Sequence, residues 1–516
     1  MKYLYLKIAL TLFATCFLFS CNEDFLDIEP KGAPAVASFW KTETDAHLAA
    51  NSLYSMNDFQ GTYGRGMHLY SLIPSDDFIV GKSKGQIENI KNFFNDGTGS
   101  YTRDIWAQHY IVIKRANDII NNVPLMDINT DVSDFVLGQA YFMRGLAYFQ
   151  LSIIYGDENM GVPVVDENTE TFLLPRSENV SVNYNFAAAD FTEAASLLPY
   201  FEDLSSEDYG KAHKNAAIGY LARTHFHNAQ YDNSSWSKAI DACDLLINSG
   251  KNGLEPNFAD AFTIANNWGQ EYLWSVPSNK NGGSIFPGAS LENKGWGKYN
   301  GWGYFAPTLE LYESYDDNDL RRGATLLAFG DEFTYFGETR PYWSDINWSG
   351  FQFAKYLEPY SYEGAIHLNG NGDHPTTDLN LPLLRYSHIL LMKAEAQIML
   401  GQNGDDAINQ VRTRAGLPAI SGATMDDIKY ERRAEFAGEL FGRYEDLIRW
   451  GDAATIIPMA VHGRDHVDKT DPNSTFEIIE IWPARSQFDP TIHHVWPIPP
   501  QVLNTSEGTL IQNEGW

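Results

Sequence analysis

Carboxylates occur in adjacent pairs along this chain: Asp76-Asp77, Asp316-Asp317, Asp405-Asp406 and Asp426-Asp427. Two acids at a set separation across a sugar can cleave a glycosidic bond. With 67 acidic residues, however, adjacent pairs arise by chance. Asp405 and Asp426 open helical patterns, where the helix dipole favours negative charge. Asp316 to Asp319 precede Arg321-Arg322, which reads as a structural ion network. The histidines are poor metal ligands. His225 and His227 stand two apart in a helical pattern and point to different faces. His462 and His466 stand four apart, but Gly463 weakens any helix between them, and His493-His494 is an isolated pair. Asn369-Gly-Asn-Gly-Asp373 alternates oxygen ligands with glycine as a calcium loop does, yet reads more simply as a polar turn. No Gly-x-Ser-x-Gly, His-Glu-x-x-His or Walker A pattern occurs. The expectation is no catalytic residue, no metal and no cofactor.

The aromatic residues carry a stronger signal. Trp268, Trp274, Trp296, Trp302, Trp343 and Trp348 are six of the 13 tryptophans, in a stretch where even spacing would place about two. Three have glycine beside them: Trp268-Gly269, Gly295-Trp296-Gly297 and Gly301-Trp302-Gly303. A tryptophan between glycines in a loop has little local packing. Its flat face suits the C–H face of a sugar ring, while nearby amides bind hydroxyls. The rival use is loop-side core. Trp274, in the strand-like Glu-Tyr-Leu-Trp-Ser-Val-Pro, is expected there, and Trp302 is open to either use. Ligand contact is placed on one or more of Trp296, Tyr299, Trp343 and Trp348.

Helices must position these residues. The 3.6-residue period predicts a helix starting near Glu43, then Asp104–Asn122, Asp134–Tyr155, Asn185–Leu198, Lys211–Gln230, Trp236–Asn248 with Ser235 as its cap, Leu383–Leu400, Asp405–Arg414 and Asp426–Trp450. Small residues recur inside them, among them Gly138, Gly145, Ala187 to Ala189 and Ala239, which lets neighbouring helices approach closely. Lys211–Asn248 has the length of one tetratricopeptide-like pair, without a strict repeat elsewhere. Between about 251 and 382 the periodicity fades and Gly, Asn, Asp, Trp and Tyr dominate. Long irregular segments in a compact protein are usually functional. The fold class is mostly α, with helical pairs as one scaffold and a loop-rich binding side.

The ends set the compartment. Lys2 and Lys7 precede an apolar run, Ile8 to Phe19, too short to span a bilayer and suited to a signal peptide. Leu18-Phe19-Ser20-Cys21 resembles the bacterial lipobox, in which the cysteine becomes the lipidated N-terminus. Two or three acyl chains suffice for stable anchoring, so the lipid is the only membrane contact expected. Cys16 leaves with the signal and Cys21 is acylated, so Cys243 stands alone and is read as a small buried apolar residue. The formal charge of −30 becomes −32 on loss of Lys2 and Lys7, with 35 basic against 67 acidic residues. Such a surface excludes nucleic acid as a partner and disfavours strongly anionic glycans.

Several stretches together resemble the SusD/RagB family of outer-membrane nutrient-binding lipoproteins. The strongest is Glu431-Arg-Arg-Ala-Glu435-Phe through Phe441-Gly-Arg443, Asp446-Leu and Arg449-Trp-Gly451. Leu383-Leu-Arg385-Tyr through Glu395, Asn409 through Pro418, Trp496-Pro-Ile-Pro-Pro and Gln512 through Trp516 are similar to further family elements. Ser75-Asp76-Asp77-Phe78, Ala140 through Phe149 and Gly161-Val-Pro-Val fit towards the N-terminus. The resemblance implies one helical fold on four tetratricopeptide-like pairs, with the ligand site on loops at one side. It implies a SusC-like TonB-dependent transporter as partner, and an oligosaccharide ligand, with peptide in some members. It also implies use of the loop after Asp-Asp-Phe, where Phe93 would stack and Asn95 would bind hydroxyls. Glu23 and Asp24 after the lipidated cysteine resemble a surface-export signal, with a periplasm-facing display as the alternative. The organisation expected is a signal peptide at 1–20, a lipidated tether at 21–38 and a single SusD-like domain at 39–516. That domain divides into a helical part at about 39–250, a loop-rich insert at about 251–382 and a helical part at about 383–516. The function expected is capture of an oligosaccharide at the outer membrane, on the outer face, and its delivery to the transporter. A peptide ligand is the alternative, and glycoside hydrolysis is the weaker rival.

Overall fold

The structure, a computed structural model, describes residues 39–56, 61–81, 85–171, 173–282, 303–343, 349–361, 367–368, 370, 375–468, 471 and 473–516. The proposed signal, Cys21 and the tether lie outside these residues, and so does most of Asn369–Asp373. The first described helix, α1 (Glu43–Ser52), opens on a capping box. The Thr42 hydroxyl accepts from the Asp45 N–H, and the Asp45 carboxylate accepts from the Thr42 N–H.

The helical scaffold continues through α2 (Gly66–Leu72), α3 (Gly85–Lys91), α4 (Ser100–Asn122), α5 (Thr130–Tyr155), α6 (Val180–Leu197), α7 (Lys214–Asn228) and α8 (Ser235–Asn248). From α4 to α8 each helix packs on the next. Glycine allows close approach at two places. A Cβ at Gly138 of α5 would stand 2.6 Å from the Leu198 side chain at the end of α6, and one at Gly219 of α7 would stand 2.8 Å from Leu384 of a later strand. Phe142, Phe149, Phe191 and Tyr220 interlock at ring separations of 5.5–5.7 Å. Inside this apolar wall, Arg144 of α5 holds Asp190 of α6 through two bonds of 2.8 and 2.9 Å.

α4, α5 and α6 start earlier than the apolar period suggests, whereas α7 starts later, at Lys214 rather than Lys211. α5 begins at Thr130 because Asn129 caps it, accepting from the Asp131 N–H at 2.8 Å. Its first turn is polar and carries no period to read. Ser235 is the first residue of α8 rather than its cap. The Asp232 carboxylate instead receives the Ser234 N–H and both serine hydroxyls.

The 251–382 segment forms short strand pairs and turns. β1 (Phe78–Val80), β2 (Tyr272–Val276), β3 (Phe305–Pro307), β4 (Leu326–Ala328), β5 (Glu332–Tyr335), β6 (Glu338–Pro341), β7 (Phe351–Phe353) and β8 (Leu381–Arg385) make four antiparallel pairs: β1–β3, β2–β8, β4–β7 and β5–β6. Short helices α9 (Leu309–Tyr312) and α10 (Arg321–Thr325) lie between them. β8 corrects the expected Leu383–Leu400 helix. Leu384 and Arg385 pair with Trp274 and Tyr272 of β2, and α11 starts only at Tyr386 and ends at Met399. α12 (Asp405–Arg414) matches its expected bounds.

The expected Asp426–Trp450 helix is two helices, α13 (Met425–Phe436) and α14 (Arg443–Trp450). The chain reverses between them with Gly438 at φ +78 and Phe441 at φ +56. β9 (Val461–His466) and β10 (Phe476–Trp482) close a hairpin, and α15 (Pro500–Thr505) precedes the C-terminus. One apolar core runs from Ala46 through the helices to Trp496 and Ile498. Trp274 and Cys243 are inside it, as expected, and burial pushes the Cys243 thiol well up. A small second core of Leu327, Tyr335, Tyr342 and Tyr360 lies under β4–β6.

Candidate functional site

The charged motif residues were the natural candidates for chemistry, and the structure spends them on one another. Glu431 and Glu435 of α13, with Glu439 from the turn after it, extend into a buried knot with Arg321, Arg385, Arg412, Arg414, Lys355, Asp319 and Glu271. Arg385 reaches Glu439 at 2.7 and 2.9 Å and Glu435 at 3.1 Å. Burial alone would raise the Glu435 carboxyl, but Arg414, Arg385 and Arg321 together hold it well below the ordinary range. The next residues of the motif point elsewhere. Arg432 and Arg449 clasp Asp446 at 2.7–2.9 Å, and Arg449 also holds Glu395. Arg433 bonds Asp76 and Asp77, and Arg443 bonds Asp76. Asp319 pairs with Arg321 at 2.7 Å, as the sequence suggested for this acid-rich segment.

None of these acids is left to transfer a proton to a ligand. His462 and His466 lie on a strand. His462 bonds Glu310 at 2.7 Å, and His466 bonds Ser474. Among the described residues no group of three or more His, Cys, Asp or Glu is placed to hold a metal ion. No helix among them is long and apolar enough to cross a membrane.

The loop side is different in kind. Trp296, Tyr299 and Trp348 lie outside the described residues, as does Trp302. The described chain before the first two ends at Gly282, where the Lys280 N–H bonds Asp378 at 2.8 Å. The described chain after them begins at Gly303 beside β1, where the Tyr304 carbonyl accepts from the Gly81 N–H. Trp343 is described. It follows the fully buried Tyr342, is itself half-buried, and its indole N–H has no hydrogen-bond partner. The segment after it returns at Ser349, whose carbonyl accepts from the Arg464 N–H of β9 at 2.9 Å. The Arg464 guanidinium lies over the rings of Tyr312, Phe351 and Phe476, 4.6–5.5 Å from each. Trp343 is therefore a partly exposed ring whose indole N–H is buried, so that its ring face is what it can offer a ligand. Trp268 instead packs into a ring cluster with Phe201, Tyr209 and Tyr272.

Phe93 and Asn95 must be corrected as ligand contacts. Phe93 turns inward at φ +58, is 4 % exposed, and packs against Phe488, His493 and Trp496. Asn95 is buried and donates to the Tyr70 hydroxyl at 2.9 Å. The inward turn is enforced from both sides: Asn92 is held by Trp482 and Gln487, and Lys91 caps the carbonyls of Ser75 and Phe78. Phe94 is then the outward residue, 60 % exposed. Sequence could name the dipeptide as a candidate but not which ring faces out.

Comparison with known proteins places these features in a family. A profile described as the SusD family matches residues 268–516, and one described as starch-binding, associating with the outer membrane, matches residues 24–226. A SusD-like protein of Formosa agariphila, P2, is 26 % identical over 472 residues, covering 84 % of this chain and 88 % of its own. A SusD-like protein of Bacteroides ovatus is 25 % identical over 483 residues, covering 86 % and 82 %. Among solved structures, a SusD-like protein of Bacteroides fragilis superposes with a TM-score of 0.77 at 21 % identity, covering 95 % of this chain and all of its own. The surface glycan-binding protein A of Bacteroides thetaiotaomicron in complex with laminarihexaose gives 0.71 at 23 % identity, covering 92 % and 99 %.

Proposed function

The chain belongs to the SusD/RagB family, and from this we propose that it is a lipoprotein anchored through Cys21 that binds an oligosaccharide outside the cell and passes it to a SusC-like TonB-dependent outer-membrane transporter. The observation that carries this reading is the pair of family matches, which together reach from residue 24 to the last residue. Solved relatives titled as glycan-binding, one of them holding laminarihexaose, support carbohydrate as the ligand class. Residues 39–516 act as one unit in this reading, built on a core shared by both helical parts.

The ligand is a neutral or weakly charged oligosaccharide held on an aromatic platform at 296–348, formed by Trp296, Tyr299, Trp343 and Trp348. Phe94 replaces Phe93 as the contact from the neighbouring loop. Each stacked ring contributes about 0.5–1.5 kcal/mol beyond burial, by analogy with aromatic pairs. Association costs several kcal/mol, leaving affinity in the micromolar to millimolar range, about −8 to −4 kcal/mol. Such weak capture suits handing over a cargo. The protein binds rather than cleaves, a reading supported by Glu435, Glu439, Asp446 and Asp76, each of which is bonded to arginine or lysine.

Calorimetry with a panel of glycans and peptides tests the reading. Alanine at Trp296, Tyr299, Trp343 and Trp348 together should abolish glycan binding while the protein stays folded. Affinity should change little with salt, because stacking is not screened. Full affinity in the folded quadruple variant sinks the platform. Peptide binding without glycan binding replaces the ligand class, and new reducing ends in the glycan samples replace binding with hydrolysis. Cys21→Ala should leave the outer-membrane fraction, and its retention there would overturn the anchor.

A further inference from the structure

Away from the loop side, α5, α7 and α14 enclose an inner cavity of about 40 Å³ beside a surface groove of about 990 Å³. Tyr231, Arg449 and His494 line both spaces, so the two adjoin. One buried water needs about 10–15 Å³ of such space, so the inner cavity admits a small polar head group and the groove its larger body.

Glu445, in the first turn of α14, faces the inner cavity. Its carboxylate accepts a single hydrogen bond, from the Ser71 hydroxyl at 3.2 Å, and makes no ion pair among the described residues. This sets it apart from its neighbour Asp446, which two arginines hold. The cations around Glu445 are committed elsewhere. Arg223 of α7 donates to the carbonyls of Leu383, Leu440 and Phe441. Arg432 of α13 and Arg449 of α14 serve Asp446, and Arg449 also serves Glu395. His227 of α7 is kept neutral by burial and by those three arginines. From α2, Met67, Tyr70 and Ser71 line this cavity, and none of them carries a charge. Burial therefore pushes the Glu445 carboxyl up to about 8, and the nearby Asp446 charge adds to the shift.

The groove outside is acidic. Asp157, Glu158 and Glu514 line it, and its one histidine, His494, is bonded to Asp157 at 3.2 Å. Tyr231 and Tyr184, stacked with ring centres 6.3 Å apart, wall the inner cavity. An aromatic wall and an unpaired acid favour a cation over a neutral hydroxyl. Gln230, Asn159 and Thr491 offer hydrogen bonds to a polyhydroxylated body, and no strand of the described fold lines the groove to pair with a peptide backbone.

We propose that this cavity receives the ammonium group of an amino sugar, with Glu445 as its counter-ion and the sugar ring in the groove. The ammonium is argued from the cavity itself; the sugar body rests on the glycan-binding reading. On binding, the Glu445 acid loses its proton to the buffer and the carboxylate pairs with the ammonium. About one proton is released per ligand bound well below pH 8, and none well above it.

Calorimetric titration of the purified protein near pH 6.5, in two buffers of different ionisation enthalpy, measures this release. Glucosamine is expected to bind in the millimolar range or better, with proton release. Glucose and N-acetylglucosamine should bind at least about tenfold more weakly and release none. Glu445→Gln keeps the shape and the neutral state; it should weaken glucosamine about tenfold and abolish the release. No binding of glucosamine at tens of millimolar, binding without proton release, or full affinity in folded Glu445→Gln overturns the proposal. The proton count on the unmutated protein decides the matter even if that variant does not fold. Triglycine binding as tightly as glucosamine would overturn the sugar assignment. Glucosamine binding should persist in the quadruple loop variant, so loss of the loop platform and loss of this cavity read out separately.

Discussion

Two parts of the molecule use polar and aromatic side chains in opposite ways. Around α13, the buried charges are satisfied by one another. Glu435 alone meets Arg321, Arg385 and Arg414. On the loop side, Trp343 is a half-buried ring tied by no hydrogen bond among the described residues, and Phe94 stands in solvent. The dense motif of the C-terminal half is thus a tie between α11, α13, α14 and the β1 turn, and its charges, Glu445 apart, are already spent. Groups left unspent on a rigid frame are the ones free to meet a ligand. Density of ionisable residues in a sequence is a guide to architecture here, and sparse exposed aromatics are the guide to binding.

The sharpest way to break this contrast is Arg385→Ala. It would strip Glu271, Glu435 and Glu439 of a shared partner inside the core. Removing one member of a buried ion pair costs about 3–5 kcal/mol, so unfolding by denaturant should begin markedly earlier. A loss below about 1 kcal/mol would show that the knot is dispensable.

The Phe93-Phe94 dipeptide tests the same contrast within one turn of chain. Phe93→Ala empties a packed aromatic site and should cost about 3–5 kcal/mol of stability. Phe94→Ala should change stability by less than about 0.5 kcal/mol, and any effect should appear in glycan affinity. Equal stability losses would mean that the inward and outward assignments are mistaken.

Glu445 gives a pH test. Its folded pKa, about 8, lies above the ordinary 4.5, so between these values the folded state holds a proton that the unfolded chain has released. Stability from this group is full below about pH 4.5 and falls as pH rises towards 8. Glu445→Gln should match the parent near pH 4 and exceed it by about 1–2 kcal/mol near pH 8, the carboxyl being partly open to the cavity. A constant difference at both pH values would refute the raised pKa.

The smallest expected effect is Trp343→Ala. Glycan affinity should fall about three- to tenfold, or about 0.5–1.5 kcal/mol, with the thermal transition almost unmoved. Unchanged affinity would shift the platform to residues other than Trp343.

Much of the scaffold was legible in the sequence. Helices α4 to α8, α11 and α12 follow from the apolar period, Cys243 and Trp274 from their local patterns, and the family from the ordered motifs. These features depend on residues a few positions apart, because a helix face repeats every 3.6 residues and a motif keeps its own spacing. Tertiary structure alone decided the rest. It made Leu381–Arg385 a strand, because the partner, β2, lies more than 100 residues earlier. It broke α13 from α14, so that Glu439 could turn to Arg385 and Lys355. It joined Asp76 and Asp77 to Arg433 across 356 or more residues, turned Phe93 inward and Phe94 outward, and left Glu445 with no ion pair among the described residues. Each of these outcomes depends on which distant group arrives to neutralise a charge or cover a ring. Local periodicity carries no record of that, since burial and pairing are fixed only when the whole chain has packed.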